Sequence, residues 1–136
     1  MGDERVKAEA LQILGLFQVL PRLVVFDLDY TLWPFYCECR SKRDSPSLFR
    51  HARGIMYALK EKGVDMAIAS RSPTPDIAKV FIDKLELQSM FVAQVSKMGV
   101  TSVLVENGVN LDMFKLGLSN FATNFAASST STKQDE

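Results

Sequence analysis

Two cysteines and a single histidine are all the thiol and imidazole metal ligands that this 136-residue chain carries. Cys37 and Cys39 flank Glu38, a spacing too tight for an easy disulfide, and with His51 they make a poor set for zinc. They are read as two reduced structural thiols. Charge of one sign is lacking too: sixteen basic and sixteen acidic residues cancel, so no overall field recruits nucleic acid or an anionic membrane. No apolar run reaches the length of a transmembrane span, ~20 residues. The opening MGDERVKAEALQILGLF places acids early and has no small-residue cleavage site behind an apolar core, which argues against a signal peptide. Val6 stands where a myristoylation signal has Ser or Thr. The expectation is a soluble, cytoplasmic protein with neither a nucleic-acid nor a membrane partner and an oligomeric state left open.

What is present is ordinary globular material, 47% hydrophobic and 24% charged, enough for one domain and one core. Apolar residues at helical spacing predict a first helix over 5–19, stopped at Pro21. Leu23 to Phe26 read as a strand, 33–46 as irregular chain, and 48–62 as a helix with Gly63 as its stop. A second buried strand follows over 64–69. A helix then opens with Thr74 as cap, Pro75 in the first turn and Asp76 favouring the helix dipole. Strands are expected at 90–93 and 101–105, a turn at Asn107-Gly108 and a helix over 111–125. The domain is set at 1–126, with 127–136 as a disordered polar tail. Strands alternating with helices predict an open α/β fold: a parallel, Rossmann-like sheet with helices on both faces. In such sheets ligands bind beyond the carboxyl ends of the strands, where Asp27 and Ser70 stand.

LVVFDLDYTLWP, residues 23–34, ends that first strand in two acids one residue apart. Two like charges there can hold a divalent cation that relieves their repulsion, or they can merely cap and turn the chain after the strand. A carboxylate can also attack a phosphoryl group while a second acid serves the leaving group. Phosphoryl transfer further needs neutralisation of the equatorial oxygens by a hard cation, a hydroxyl or a basic side chain. Trp33, Phe35 and Tyr36 could stack on a substrate, but core packing is the favoured reading for them. Lys79 and Lys84 read as the solvated face of their helix.

VVFDLDYTLWP, an apolar strand followed by Asp-x-Asp-x-Thr, resembles the first motif of the haloacid dehalogenase superfamily. MAIASRS resembles its second motif, and the Tyr-Thr-Leu-Trp-Pro continuation with ASRS is similar to the eukaryotic-type magnesium-dependent phosphatases. VSKMGVTSVLVENGV resembles that family's C-terminal strand and turn. The resemblance covers most of residues 20–118 and implies a Mg²⁺-dependent phosphomonoester hydrolase acting through an aspartyl-phosphate, with minimal or no cap. It implies small-molecule or protein phosphomonoesters as substrates, of phosphotyrosine or sugar-phosphate type. Asp27 would be nucleophile and Mg²⁺ ligand, and Asp29 acid/base and, through its carbonyl, second ligand. Thr31 would order the loop, Ser70 would bind the phosphoryl group, and Arg71 is a candidate substrate contact.

The family's third and fourth motifs, a Lys and an acidic pair, find no counterpart. Only seven residues separate Ala93 from Thr101, whereas a parallel crossover takes a dozen or more. The second half therefore reads as incomplete, with an internal deletion near 94–95; Lys97 and Glu106 are the nearest replacements. The alternative function is a catalytically impaired, truncated isoform acting as a non-catalytic binding module. A nucleotide-sugar transferase using Asp-x-Asp as chelator ranks third, because no Gly-rich or basic phosphate cradle accompanies it.

Overall fold

A computed structural model of the chain describes residues 2–69, 74–91, 93–94 and 108–134. Three strands, β1 (Leu23–Phe26), β2 (Asp65–Ile68) and β3 (Ala93–Gln94), form one parallel sheet in the order β1-β2-β3. Leu23 faces Asp65 and Phe26 faces Ile68, and Ala67 and Ile68 pair with Ala93 and Gln94. Four helices accompany them: α1 (Gly2–Leu14), α2 (Ala52–Glu61), α3 (Pro75–Lys84) and α4 (Leu111–Gln134). The expected α/β architecture with a parallel sheet is what these elements build.

Boundaries moved in several places. The first helix ends at Leu14, short of the expected residue 19, and α2 begins at Ala52, four residues later than the spacing suggested. Met90 lies in a 3-10 turn, Gln88–Met90, and β3 starts only at Ala93. The expected strand at 101–105 lies outside the described residues, as do Lys97 and Glu106. The last helix runs beyond 125 to Gln134, through most of the segment read as a polar tail.

Each helix owes its ends to local chemistry. In α2 the stop at Gly63 holds: the residue takes a left-handed φ of 74°, Gly63 N donates to Lys60 O at 3.0 Å and Val64 N to Leu59 O at 3.0 Å. Those two bonds satisfy carbonyls that the last turn would otherwise leave open. In α4 the Asn110 side chain accepts Met113 N at 2.9 Å, and His51 Nδ1, at the start of α2, accepts Leu111 N at 3.2 Å. The only histidine is thus a helix cap between elements.

The core gathers around α2, whose Ala52, Ile55, Met56, Ala58 and Leu59 are fully buried. α1 lays Val6, Ala10 and Leu14, spaced four apart, against it. Two ion pairs fringe the contact, Lys7–Glu61 at 3.1 Å and Arg53–Asp3 at 3.9 Å; exposed pairs of this kind contribute little. Closeness at Gly54 matters more. A Cβ there would sit 2.7 Å from the Val6 side chain and 2.8 Å from the Lys7 backbone nitrogen. Gly54→Ala is expected to cost about 1–3 kcal/mol of overpacking, more than the ~1 kcal/mol that Ala adds to a helix. A thermal melt checks this: a lowered Tm is the expected result, and an unchanged or raised one refutes the close packing of α1 on α2.

Candidate active site

Asp27 is the residue directly after β1, and Ala69 N donates to Phe26 O at 2.9 Å, locking the ends of β1 and β2 together. The chain then turns sharply. Leu28 O accepts Thr31 N, Leu32 N and Trp33 N at 3.1, 3.0 and 3.4 Å, and Leu28 and Leu32 are buried beneath the turn. Tyr30, at its apex, has a left-handed φ of 53°, a conformation that bulky side chains rarely adopt. At Thr31 the backbone ties the turn to distant chain: Thr31 O accepts Val109 N at 2.9 Å, while Leu32 O accepts Phe49 N at 2.8 Å. Three distant segments of chain therefore meet at the turn.

The two carboxylates are held differently. Asp27 is exposed, and among the described residues its Oδ1 accepts its neighbour's amide, Leu28 N, at 2.8 Å. Asp29 is half-buried. Its Oδ1 accepts both the Trp33 indole N–H at 2.9 Å and Cys37 N at 3.1 Å. Among the described residues its Oδ2 accepts none. One acid thus stands open at a strand tip, and the other is fixed in one orientation with a single oxygen left for chemistry.

Trp33 and Phe35 are core, as the sequence favoured: their rings stack 5.4 Å apart at 1°, and Phe81 of α3 meets both edge-on at 5.9 and 5.6 Å. Tyr36 departs from that reading. It is half exposed because it precedes a 3-10 turn, Cys37–Cys39, whose buried residue is Cys37. Lys84 is exposed, as expected of a solvated helix face, and also reaches the neighbouring loop. Its Nζ donates to the carbonyls of Lys42 at 2.5 Å and Asp44 at 2.9 Å. Lys42 in turn pairs with Asp76 at 3.2 Å and, by that hydrogen bond, holds the exposed Asp76 carboxyl below its usual range. These ties hold the 40–44 loop to α3. Ser70 and Arg71 lie outside the described residues.

Cys37 is buried, and that burial, followed by the Asp29 charge, pushes its thiol up from 9.0 to about 12. Below about pH 9 the thiol is protonated in both the folded and the unfolded chain. Between about 9 and 12 the unfolded chain sheds a proton that the folded chain keeps, so this group's contribution to stability falls as pH rises through that window. The expected slope is up to ~1.4 kcal/mol per pH unit. Urea midpoints at pH 8.5 and 10.5 should therefore fall more steeply for the native chain than for Cys37→Ala; parallel losses would contradict the burial of this thiol.

Trp33 Nε1 and the amide of Cys37, the two donors that orient Asp29, were missed in the sequence. A spacing of four from Asp29 was the available signal for Trp33. The contact eight residues away had none.

A parallel strand that ends in Asp-x-Asp-x-Thr resembles the first motif of the haloacid dehalogenase superfamily. The family model described as Acid Phosphatase matches residues 19–46, the strand, the turn and the loop behind it. Magnesium-dependent phosphatase 1 from Homo sapiens is 28% identical over 155 residues, covering 76% of this chain and 88% of that protein. A HAD-like hydrolase superfamily protein from Schizosaccharomyces pombe is 31% identical over 84 residues, 49% of each chain. The chain is similar, in this motif and in these relatives, to the haloacid dehalogenase superfamily and its magnesium-dependent phosphatases of eukaryotic type. No helix among the described residues is long and apolar enough to cross a membrane.

Proposed function

We propose that the protein hydrolyses phosphomonoesters with Mg²⁺, through an aspartyl-phosphate on Asp27. The observation that carries this reading is the asymmetry of the two acids among the described residues: Asp27 is exposed and accepts its neighbour's amide, Leu28 N, while Asp29 is pinned through Oδ1 by Trp33 and Cys37. A nucleophile must be open to the phosphorus, and an acid/base must keep one geometry. An Asp27 oxygen attacks phosphorus as the bond to the ester oxygen breaks, and Asp29 gives the leaving oxygen the proton carried on Oδ2. Water then attacks the aspartyl-phosphate while Asp29 Oδ2 takes its proton, releasing phosphate and restoring the Asp27 carboxylate and the protonated Asp29. Ser70, next after Ala69, is assigned to the phosphoryl oxygens and Arg71 to the substrate beyond them.

The donor set suits a hard cation. No three His, Cys, Asp or Glu side chains converge among the described residues, which excludes a closed protein cage there. The Asp27 carboxylate and the Asp29 backbone carbonyl, together with a substrate oxygen and water, match Mg²⁺, which keeps several waters and needs only one or two carboxylates. When bound, the ion neutralises charge building on the phosphoryl oxygens.

An internal deletion is supported by the human comparison. The 76% of a 136-residue chain is about 103 residues, so about 52 of the 155 aligned positions have no residue opposite them. A lost Lys and acidic pair would lower the rate, each lost charge stabiliser by about 10²- to 10³-fold, without removing Asp27 or Asp29. Phosphate release from an aryl phosphate tests the reading. Activity should vanish with EDTA and return with excess Mg²⁺. Folded protein that releases no phosphate at any Mg²⁺ concentration would refute it.

A further inference from the structure

The loop after β1 carries its aromatic residues in two layers. The inner layer, Trp33 and Phe35, is closed by Phe81 and buried. The outer layer is Tyr30 and Tyr36, whose rings meet edge-to-face, centroids 4.7 Å apart at 67°. Both stay in solvent, 40% and 51% exposed, and among the described residues neither hydroxyl has a hydrogen-bond partner. The core does not need these two rings.

Their position is set by the site. Tyr30 follows Asp29 directly and is held there in a left-handed conformation, a departure that survives only where the surroundings enforce it and that concentrates at functional sites. Tyr36 precedes Cys37, whose amide binds Asp29 Oδ1 at 3.1 Å. The exposed pair thus adjoins, on both of its chain segments, the carboxylate that serves the leaving oxygen.

We propose that the Tyr30–Tyr36 pair is the leaving-group subsite and the determinant of specificity, favouring esters whose alcohol half carries a flat ring over straight-chain esters. This rests on the role given to Asp29 above: the leaving oxygen that it protonates carries its substituent past these two rings. A ring entering there meets two aromatic faces already fixed in an edge-to-face arrangement, so little side-chain freedom is lost on binding. Arg40, whose guanidinium carbon lies 4.4 Å from the Phe35 centroid, is occupied on the inner layer and is not part of the subsite.

The test compares 2-phenylethyl phosphate with n-hexyl phosphate, alcohols of similar acidity that differ in having a ring. In the native protein the ratio of their kcat/KM values favours the ring. Tyr36→Ala, and Tyr30→Asn, which tolerates the left-handed backbone, should each lower that ratio about three- to tenfold through KM. Tyr36→Phe should restore it. The two phosphonate analogues, titrated by calorimetry, give the same comparison without turnover. Ring-selective phosphonate binding that Tyr36→Ala abolishes supports the subsite even if no ester is cleaved, the outcome that would refute the hydrolase. Turnover with a ratio indifferent to both substitutions overturns the subsite and leaves the hydrolase standing. Phosphonates that do not bind at all to folded protein overturn the subsite as well.

Discussion

Asp27→Asn is expected to abolish Mg²⁺-dependent phosphate release, a loss of about 10³-fold or more, because an amide oxygen is too poor a nucleophile to form the phosphorylated intermediate. The fold should not notice. Asp27 is exposed, its Oδ1 accepts Leu28 N, and an asparagine oxygen accepts the same bond, so stability should shift by no more than ~0.5 kcal/mol. Asp29→Asn separates the second role from the first. Its Oδ1 can still accept Trp33 Nε1 and Cys37 N, but no proton can be handed over, and a loss of about 10²- to 10⁴-fold is expected. That loss should be smaller for aryl than for alkyl esters, because a phenolate leaves with less help. Steady-state phosphate release by the two variants, beside urea melts, checks both statements. An Asp27→Asn protein as fast as the native chain would dispose of the covalent route altogether.

Trp33 should give the largest stability effect. It is fully buried, stacked on Phe35 and capped by Phe81, so Trp33→Ala leaves a cavity costing about 3–5 kcal/mol. Against a total of about 5–15 kcal/mol for a domain, much of the chain's stability would go. Trp33→Phe isolates the other role of the indole. It keeps an aromatic ring between Phe35 and Phe81 but removes the N–H from Asp29 Oδ1, leaving Cys37 N as the sole donor. A hydrogen bond to a charged group contributes about 1.5–3 kcal/mol, so a fall in kcat of roughly tenfold or more is expected, with KM little changed. Melts and kinetics on the two variants distinguish packing from positioning. Full kcat in a folded Trp33→Phe protein would show that the indole bond does nothing for Asp29.

Much of this site was legible in the sequence because its chemistry is local. An apolar run that ends in Asp27 marks a strand and its tip, and Asp29 and Thr31 follow within four residues, so one window of chain contains both carboxylates and the turn that carries them. Pro75 and Gly63 marked helix ends for the same reason, since a helix end is decided within a few residues; Thr74 takes the N-cap position of α3 as expected, but its side chain makes no capping hydrogen bond there. Contacts that cross the chain left no such trace. Lys84 reaches the carbonyls of Lys42 and Asp44 from α3, and His51 caps α4 from the start of α2; each pairing spans forty residues or more. Nothing in the spacing of either partner encodes it.

The sequence by itself determined the family resemblance, the parallel α/β plan and the pair of carboxylates, because hydrophobic periodicity and a five-residue motif carry all three. Which aromatic faces inward was decided only in three dimensions. Trp33, Phe35 and Tyr36 are near neighbours of one character, yet packing against Phe81 buries the first two and the turn at Cys37 leaves the third beside Tyr30 in solvent. The tertiary structure likewise decided how Asp29 is held. An indole four residues away and an amide eight residues away converge on one oxygen only when the loop closes, and that closure depends on the hydrogen bonds that Phe49 and Val109 bring to the turn from elsewhere in the chain.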